Sequence, residues 1–585
     1  MNEEILLQVN KPARYIGSEW NIPKKDFKKS KVRFLLSFPD LYEVGMSNLG
    51  IKILYGLLNK IPDTSCERVF SCGMDLENIL RSRQESLVSL ETHSPMSEFD
   101  IIGFSLGSEL DYTNVLNILD LGNIPLHSAS RDNRDPLIIG GGPGVLNPEP
   151  MHAFFDLFLI GEAEEAIAEI VAVYREYKER FRKGEITRQD LLFQLTRVEG
   201  VYVPSFYETE YSPSGELFEF RPRREGVPLT VKKRFVSDLD SSHFPVDCII
   251  PFIQVIHDRI TLEIMRGCPN SCRFCQARSQ YFPFRIRKRE FLLRLAREAY
   301  EKSGYEEISL GGLSVSDYPE VKLLSQELSA LFKAEAVSVS LPSLKAKALV
   351  GDISSLLANV KKTGLTFAPE AGSKHLREVI GKDFSEEDFF KALEDAFRAG
   401  YRHVKLYFMI GLPGEKEEDL DEIINLANSV SQLRKRISCA GAAQVNISVN
   451  TLIPKPHTAL QWQGMEPPEA IRHKQDYLKA KAGRIKKLKV SFHNIYMSCL
   501  EGLLSRGDRR LSEVILLAFK KGARFDAWEA NFSFAKWQEA FSECGIDPYA
   551  YLKGKRLDER LPWDFLDLGL DKELLKAEFK KVIAI

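Results

Sequence analysis

Between residues 260 and 450, short strand-like runs alternate with helical stretches, and this alternation constrains the fold more than any other feature of the chain. The first run is Ile260–Met265. Helix-like Phe291–Lys302 then leads into Glu307–Gly311, Val321–Ala334 into Ala336–Leu341, and Lys345–Lys361 into Gly364–Glu370. Glu386–Ala399 leads into His403–Gly411, and Glu417–Leu433 into Gln444–Asn450. That pattern predicts six parallel βα units, with ligands held at the carboxyl ends of the strands. The groups with chemical character fall at those ends: a cysteine cluster, Gly311-Gly312, Pro369-Glu370, Gly411-Leu-Pro-Gly414 and Pro454-Lys-Pro-His457.

The cysteine cluster is Cys268-Pro-Asn-Ser-Cys272-Arg-Phe-Cys275, directly after the first strand and its closing Arg266-Gly267. Nine cysteines occur in 585 residues, and the other six lie singly at 66, 72, 248, 439, 499 and 544. Thiolates are soft ligands, so three within eight residues point to an iron–sulfur cluster, zinc or copper. Structural zinc closes a tetrahedron with four protein ligands, and no fourth cysteine or adjacent histidine completes one here. A [4Fe–4S] cube held by three thiolates keeps one iron open for a ligand that is not protein. The alternatives are three incidental cysteines, or zinc recruiting His257 from upstream.

CxxxCxxC with Phe274 just before the third cysteine resembles the signature loop of the radical SAM superfamily. The resemblance implies a [4Fe–4S] cluster on Cys268, Cys272 and Cys275, with S-adenosylmethionine chelating the open iron. It also implies reductive cleavage of that cofactor to a 5′-deoxyadenosyl radical, inside a partial (β/α)6 TIM-type barrel. Position by position, Gly311 and Gly312 resemble the turn that meets the methionine amino group, although Leu313 stands where an acidic residue is usual. Glu370 resembles the carboxylate that binds the ribose hydroxyls. Lys405 is a candidate partner for the methionine carboxylate or for a substrate anion. A structural Glu370–Lys405 ion pair is the plainer alternative.

The first third reads as an α/β, doubly wound, Rossmann-like domain. Strand-like Lys31–Ser37, Phe99–Ser105, Pro136–Pro143 and Asp156–Glu162 carry glycine or serine near their ends. Ser108-Glu-Leu110, then 29 residues, then Gly140-Gly141 with Gly142 following, resembles half of a cobalamin-binding signature. Gly161-Glu162-Ala-Glu164 is similar to a loop that precedes the barrel in such proteins. Glycines there allow a corrin edge to approach the backbone closely. The Asp-x-His-x-x-Gly element whose histidine ligates cobalt is absent, and Phe38–Gly45, which holds no histidine, stands in its place. A doubly wound domain that binds no corrin is the alternative. Over its full length the chain resembles an uncharacterised branch of the cobalamin-binding-domain radical SAM proteins.

The expected organisation is a cobalamin-binding-like domain over 1–170, a bridge with a hairpin near Tyr211–Gly215 over 171–250, the barrel over 251–470 and a mostly helical domain over 471–585. A net charge of −2 demands no polyanionic or membrane partner for the whole protein. No run of eighteen apolar residues suggests a membrane span, and thiolate ligation favours a reducing, cytoplasmic setting. From Arg472 to Lys489, eight Lys or Arg and one acid occur in eighteen residues, which reads as a solvated helix face, with RNA phosphate contact as the alternative. The aromatic residues between Phe525 and Phe565 read as a packed helical cap.

The expected reaction is cobalamin-dependent methylation of an unactivated carbon in a substrate that the sequence does not identify, RNA being one class. The resemblance further implies an electron donor such as a flavodoxin or ferredoxin. Alternatives are radical chemistry without methyl transfer (sulfur insertion or rearrangement, with the N-terminal domain used for docking) and a metal-stapled scaffold protein.

Overall fold

A computed structural model describes residues 3–340, 365–437, 439 and 441–584. The N-terminal sheet has six strands: β1 (Val32–Phe38), β2 (Thr64–Phe70), β3 (Ile101–Ser105), β4 (Leu137–Gly141), β5 (Leu157–Leu159) and β6 (Val201–Tyr202). Their order is β2-β1-β3-β4-β5-β6, parallel except for the β5–β6 pair. Sequences such as Val-Arg-Phe-Leu-Leu-Ser-Phe and Ile-Ile-Gly-Phe-Ser are nearly continuously apolar because helices cover both faces of the sheet. The connections reverse direction between β1 and β3, and that switch point opens a crevice beyond the strands' carboxyl ends.

The bridge contains the expected hairpin, β7 (Tyr207–Tyr211) with β8 (Leu217–Pro222). It then supplies β9 (Val231–Lys232), which pairs with β19 (Leu566–Asp567) from the far end of the chain. The next strands are β10 (Ile260–Glu263), β11 (Met265–Arg266) and β12 (Arg285–Ile286). β10 continues in parallel with β13 (Glu307–Gly311) and β14 (Ser338–Ser340). A second parallel sheet holds β15 (Leu365–Glu370), β16 (His403–Ile410), β17 (Gln444–Thr451) and β18 (Leu488–Phe492). The helix expected over Lys345–Lys361, with the residues joining β14 to β15, lies outside the described residues.

β18 corrects one expectation. Residues 472–489 are not a single helix face: the helix Pro468–Ala482 ends, and Leu488, Val490 and Phe492 then alternate with exposed Lys489 and Ser491. A period of two makes a strand even within a lysine-rich stretch. The described parallel strands of the barrel region therefore number seven.

On the four-stranded sheet, Val404, Leu406, Phe408, Val445, Ile447 and Val449 face the helices and belong to the main core. The helices Ile495–Arg506, Leu511–Lys520 and Phe534–Glu543 extend that core to the N-terminal domain. There Thr113 Oγ1 donates to Asp526 at 2.8 Å and Asn147 Nδ2 donates to Ser505 O at 3.0 Å. Phe525, Trp537 and Trp563 are buried, so this region is a packed cap as expected, and Trp528 is a partly exposed exception.

Candidate active site

The cysteine loop is clamped at its base by the antiparallel β11–β12 pair. Gly267 has φ +87°, and a Cβ there would lie 2.7 Å from Tyr281 O, so only glycine lets the loop fold back on itself. Cys268, Cys272 and Cys275 are reduced and partly buried. Burial pushes the Cys272 thiol up to about 11, opposed by Lys382 and reinforced by Cys275, Cys268 and Glu370. Burial also raises the Cys275 thiol, with Cys268 and Glu370 adding to the effect. These mutual influences place three thiols, one carboxylate and one ammonium around a common space. Asn270 Nδ2 lies 3.2 Å from Cys268 Sγ and 2.9 Å from Asp317 Oδ2.

Among the described residues, no three His, Cys, Asp or Glu side chains converge tightly enough to share one metal ion. His257 lies before β10, at the opposite end of that strand, with its backbone N–H on Ser47 Oγ. The arrangement therefore does not assemble the zinc alternative. A [4Fe–4S] cube takes one thiolate on each of three irons, so it does not require the three sulfurs to meet at one ion.

Glu370 ends β15 with φ +70°, a strained conformation for a non-glycine residue at a strand end. Burial raises its carboxyl, and Lys382 Nζ, 3.3 Å away, opposes that rise. The ion pair is thus Glu370–Lys382 and not Glu370–Lys405. Lys382 follows the helix Lys374–Val379 and stands apart in sequence, so only its proximity to Cys272 reveals it. Gly311 ends β13 and Gly312 follows it: a Cβ at Gly311 would press on Thr261, and one at Gly312 would lie 2.6 Å from Met265 Cγ. Their first role is close packing against β10 and its extension. Phe274 packs on a cluster that includes Ala371, Leu376 and Met409, which closes one end of the barrel's inner face. Lys405 is the third residue of β16, is exposed, and directs Nζ to 4.6 Å from the Tyr407 ring centroid, up the strand toward Met409. The described contacts do not bring it to the cysteines.

A cleft of about 1470 Å³, including its open mouth, lies beyond the carboxyl ends of β1, β3, β4 and β5. Gly103, Gly140, Gly141, Gly142 and Gly161 line it, with Leu49, Ile53, Leu54 and Ile167 as apolar walls. No histidine lines it. Its far wall is Glu263, Arg266, Gln280 and Tyr281, so the segments that flank the cysteine loop form one side. The glycines differ in role. A Cβ at Gly140 would collide with the Phe158 ring at 2.7 Å, whereas one at Gly141 would meet only Leu159 O at 3.7 Å. Gly142, with φ +97°, passes too near Leu106 O to carry a side chain. Of Gly140, Gly141 and Gly142, Gly141 alone is open toward the cleft.

Glu162 and Gly161 stand where cleft and barrel join. The Glu162 carboxylate accepts from Arg285 at 2.6 Å and from Val236 N at 2.7 Å, and pairs with Arg266 at 3.0 Å. Despite burial, these partners hold its carboxyl below the usual range. Arg266, one residue before Gly267, also pairs with Glu164 and Glu263. Gly161, with φ +108°, has no room for a Cβ against Arg234 O. Lys233 donates to Ser279 O and Phe282 O, both at 2.7 Å, and burial brings its ammonium down to about 8. Its ammonium thus caps carbonyls between the cysteine loop and the cleft. In sequence Lys233 is legible only as part of a basic run, Val231-Lys-Lys-Arg234.

Ser108 and Leu110 lie elsewhere. Ser108 Oγ accepts from Leu110 N and Asp111 accepts from Ser108 N, so Ser108 caps a short helix, while Leu110 is buried. Glu109 between them pairs with Lys455 at 2.8 Å, and Lys455 also reaches Glu501 at 2.7 Å. The Pro454–His457 run therefore fastens the barrel to the N-terminal domain, and Gln276 Nε2 ties the cysteine loop to it through Pro456 O at 3.2 Å.

Residues 262–427 match the family described as Radical SAM superfamily, and residues 50–204 match that described as Radical SAM proteins, N-terminal. The chain carries a radical SAM domain. Such a domain works with a [4Fe–4S] cluster and S-adenosylmethionine, and the reduced, grouped thiols beside Glu370 fit that pair. An uncharacterised protein of Methanocaldococcus jannaschii is 29% identical over 511 residues, which cover 87% of this chain and 96% of that protein. The tRNA-2-methylthio-N(6)-dimethylallyladenosine synthase of Carboxydothermus hydrogenoformans is 26% identical over 181 residues, 29% of this chain and 41% of that enzyme. Among solved structures, the cobalamin-dependent S-adenosylmethionine radical enzyme OxsB overlaps with a TM-score of 0.47 at 12% identity, over 94% of this chain and 78% of its own. The radical methyltransferase TsrM of Kitasatospora setae overlaps with a TM-score of 0.46 at 12% identity, over 75% and 76%. Among the described residues, no helix is long and apolar enough to cross a membrane.

Proposed function

We propose that this radical SAM enzyme uses cobalamin as a second cofactor and methylates an unactivated carbon. The observation that carries the reading is the cleft: it is floored by the glycine-rich edge of a doubly wound sheet and walled by Gln280 and Tyr281, which follow the cysteine loop. Its open, backbone-lined floor suits a broad, rigid ligand. When bound, the cluster and S-adenosylmethionine supply a carbon-centred oxidant, and cobalamin supplies a methyl carrier.

The residues divide the remaining work. Cys268, Cys272 and Cys275 hold the cluster, and Phe274 shields it from the barrel's inner face. Glu370, poised by Lys382, receives the ribose hydroxyls. Arg266, Arg285 and Glu162 fix the wall between the two cofactors, and Lys233 holds the carbonyls of Ser279 and Phe282 in place. No histidine lines the cleft, so no imidazole of the lining would ligate the cobalt of a bound cobalamin. The six remaining cysteines stay scattered, with Cys66, Cys72 and Cys499 buried, which gives a sulfur-donating second cluster no support.

Anaerobic purification followed by corrin extraction tests the reading. The expected result is about one corrin per chain beside about four iron. Protein that holds iron and cleaves S-adenosylmethionine, yet takes up no hydroxocobalamin, would favour radical chemistry without methyl transfer.

A further inference from the structure

The inner face of the four-stranded sheet is polar where most barrel interiors are packed with branched apolar side chains. One cross-strand row runs Thr366–Lys405–Asn446–Lys489 in register, and all four residues are exposed. Residues in register point to the same side of a sheet, so Lys405 and Lys489 stand roughly 10 Å apart with Asn446 between them. Below this row, at the amino-terminal rim, β17 donates Gln444 N to Arg402 O and Val445 N to Lys487 O, which sets Arg402 and Lys487 on its two flanks. Arg402, His403, Arg484, Lys486 and Lys487 are exposed there. Residues 399–406, 441–450 and 484–493 hold four Lys, two Arg and no Asp or Glu. No ion pair is recorded for Lys405, Lys486, Lys487 or Lys489 among the described residues, whereas nearby Lys474 and Lys481 are paired with Glu415 and Asp421. Above the row, Tyr407 and then Met409 lead to Phe274 and the cysteine loop.

We infer that this cationic track, from the rim through Lys489 and Lys405, binds the phosphodiester backbone of a single-stranded RNA segment and so makes RNA the substrate class. The inference rests on the radical SAM reading for its chemistry. A single phosphate needs only one or two cations, but here the charge continues from the interior row to the rim, which matches a chain of phosphates. A membrane is the poorer match, because no exposed large apolar residue accompanies the rim cations. From Lys405 to Met409 is roughly 13 Å along the strand, so a phosphate at the row lets the next nucleotide reach the reaction centre. Lys405, with its ammonium over the Tyr407 ring, is the specificity-determining contact nearest that centre.

Fluorescence anisotropy of the full-length, anaerobically reconstituted protein with a fluorescein-labelled 20-mer RNA tests this, with 20-mer DNA and phosphatidylserine vesicles as separate arms. RNA binding should weaken with log[salt], and Lys486→Gln/Lys487→Gln should lower that slope by about 1.4, at about 0.7 for each lost phosphate contact. Lys405→Gln and Lys489→Gln should each weaken RNA binding severalfold while circular dichroism stays unchanged. No RNA binding at low salt, an unchanged slope in the double variant, equal binding of DNA, or binding to vesicles alone would each overturn the inference. Corrin and iron contents of the same preparations report the two-cofactor reading separately.

Discussion

The cysteine loop and the glycine-lined cleft face each other across Tyr281, yet they are built on different principles. The loop is local: eight consecutive residues carry all three metal ligands, and one hairpin clamp with one left-handed glycine holds them. The cleft is assembled from four strand ends and a helix spread over more than one hundred residues, and none of its walls is specific to a ligand alone. A local motif names its ligand through residue type. A distributed cleft names its ligand only through shape. Substitutions should therefore act sharply on the loop and selectively, by direction of space, on the cleft.

The largest expected effect breaks the loop. Alanine at Cys268, Cys272 or Cys275 should reduce iron from about four per chain to near zero after anaerobic reconstitution, while Cys439→Ala and Cys544→Ala retain it. Iron and sulfide assays read the result directly. Stoichiometric zinc without iron in anaerobic protein would remove the radical chemistry altogether.

The next effect separates two neighbours in the cleft. Gly141→Phe should abolish hydroxocobalamin uptake and leave the iron content intact, because its side chain enters open space. Gly140→Phe should instead destabilise the domain by about 1–3 kcal/mol or more, because it overpacks against Phe158 and Phe155. Corrin titration beside a thermal melt distinguishes these outcomes, and identical behaviour of the two variants would contradict the assigned orientation of the strand. In the parent protein, 15N-labelling of histidine should leave the electron paramagnetic resonance spectrum of the Co(II) form unchanged, since no histidine lines the cleft.

This contrast also explains what was legible in the chain. The loop, the alternation of strands and helices, and the doubly wound sheet follow from residue type and period. β18 was hidden because its alternation runs through lysines, so charge masked the period. The Ser108–Leu110 segment matched a pattern in type and spacing, but Asp111 and Lys455 draw it into a cap and a domain contact. Lys233 and Lys382 act through long-range proximity, to Ser279 in one case and to Cys272 in the other, which no local pattern encodes. Gly140 and Gly141 look equivalent in sequence, yet successive residues of a strand face opposite sides.

A smaller effect sharpens the loop side of the comparison. Glu370→Ala should weaken S-adenosylmethionine binding roughly 10- to 100-fold, the range expected for losing hydrogen bonds to a charged group, without changing the iron content. Isothermal titration on the reconstituted protein measures it. Wild-type affinity in this variant would move the ribose contact elsewhere and leave the Glu370–Lys382 pair as a structural feature.

The smallest effect concerns the fastening between the two regions. His457 is buried, with φ +58°, and its Nε2 lies 3.0 Å from Leu146 O of the N-terminal domain. A carbonyl only accepts, so Nε2 donates and Nδ1 is bare in the neutral ring. Burial lowers its imidazolium to about 4, and the Leu146 contact offsets this in part. The folded protein therefore refuses a proton that the unfolded chain accepts below its ordinary value of about 6.5. Stability from this group is complete above that value and is lost as pH falls toward 4. Between pH 7.5 and 5 the loss amounts to about 2 kcal/mol at most for one histidine. His152, lowered to about 3, and His243, lowered to about 4, add losses of the same sign. His457→Gln keeps a donor for Leu146 but cannot titrate, so its melting temperature should fall less than that of the parent protein between those pH values. Parallel pH dependence in the two proteins would place the acid sensitivity in His152 and His243 and leave the joint between loop and cleft indifferent to pH.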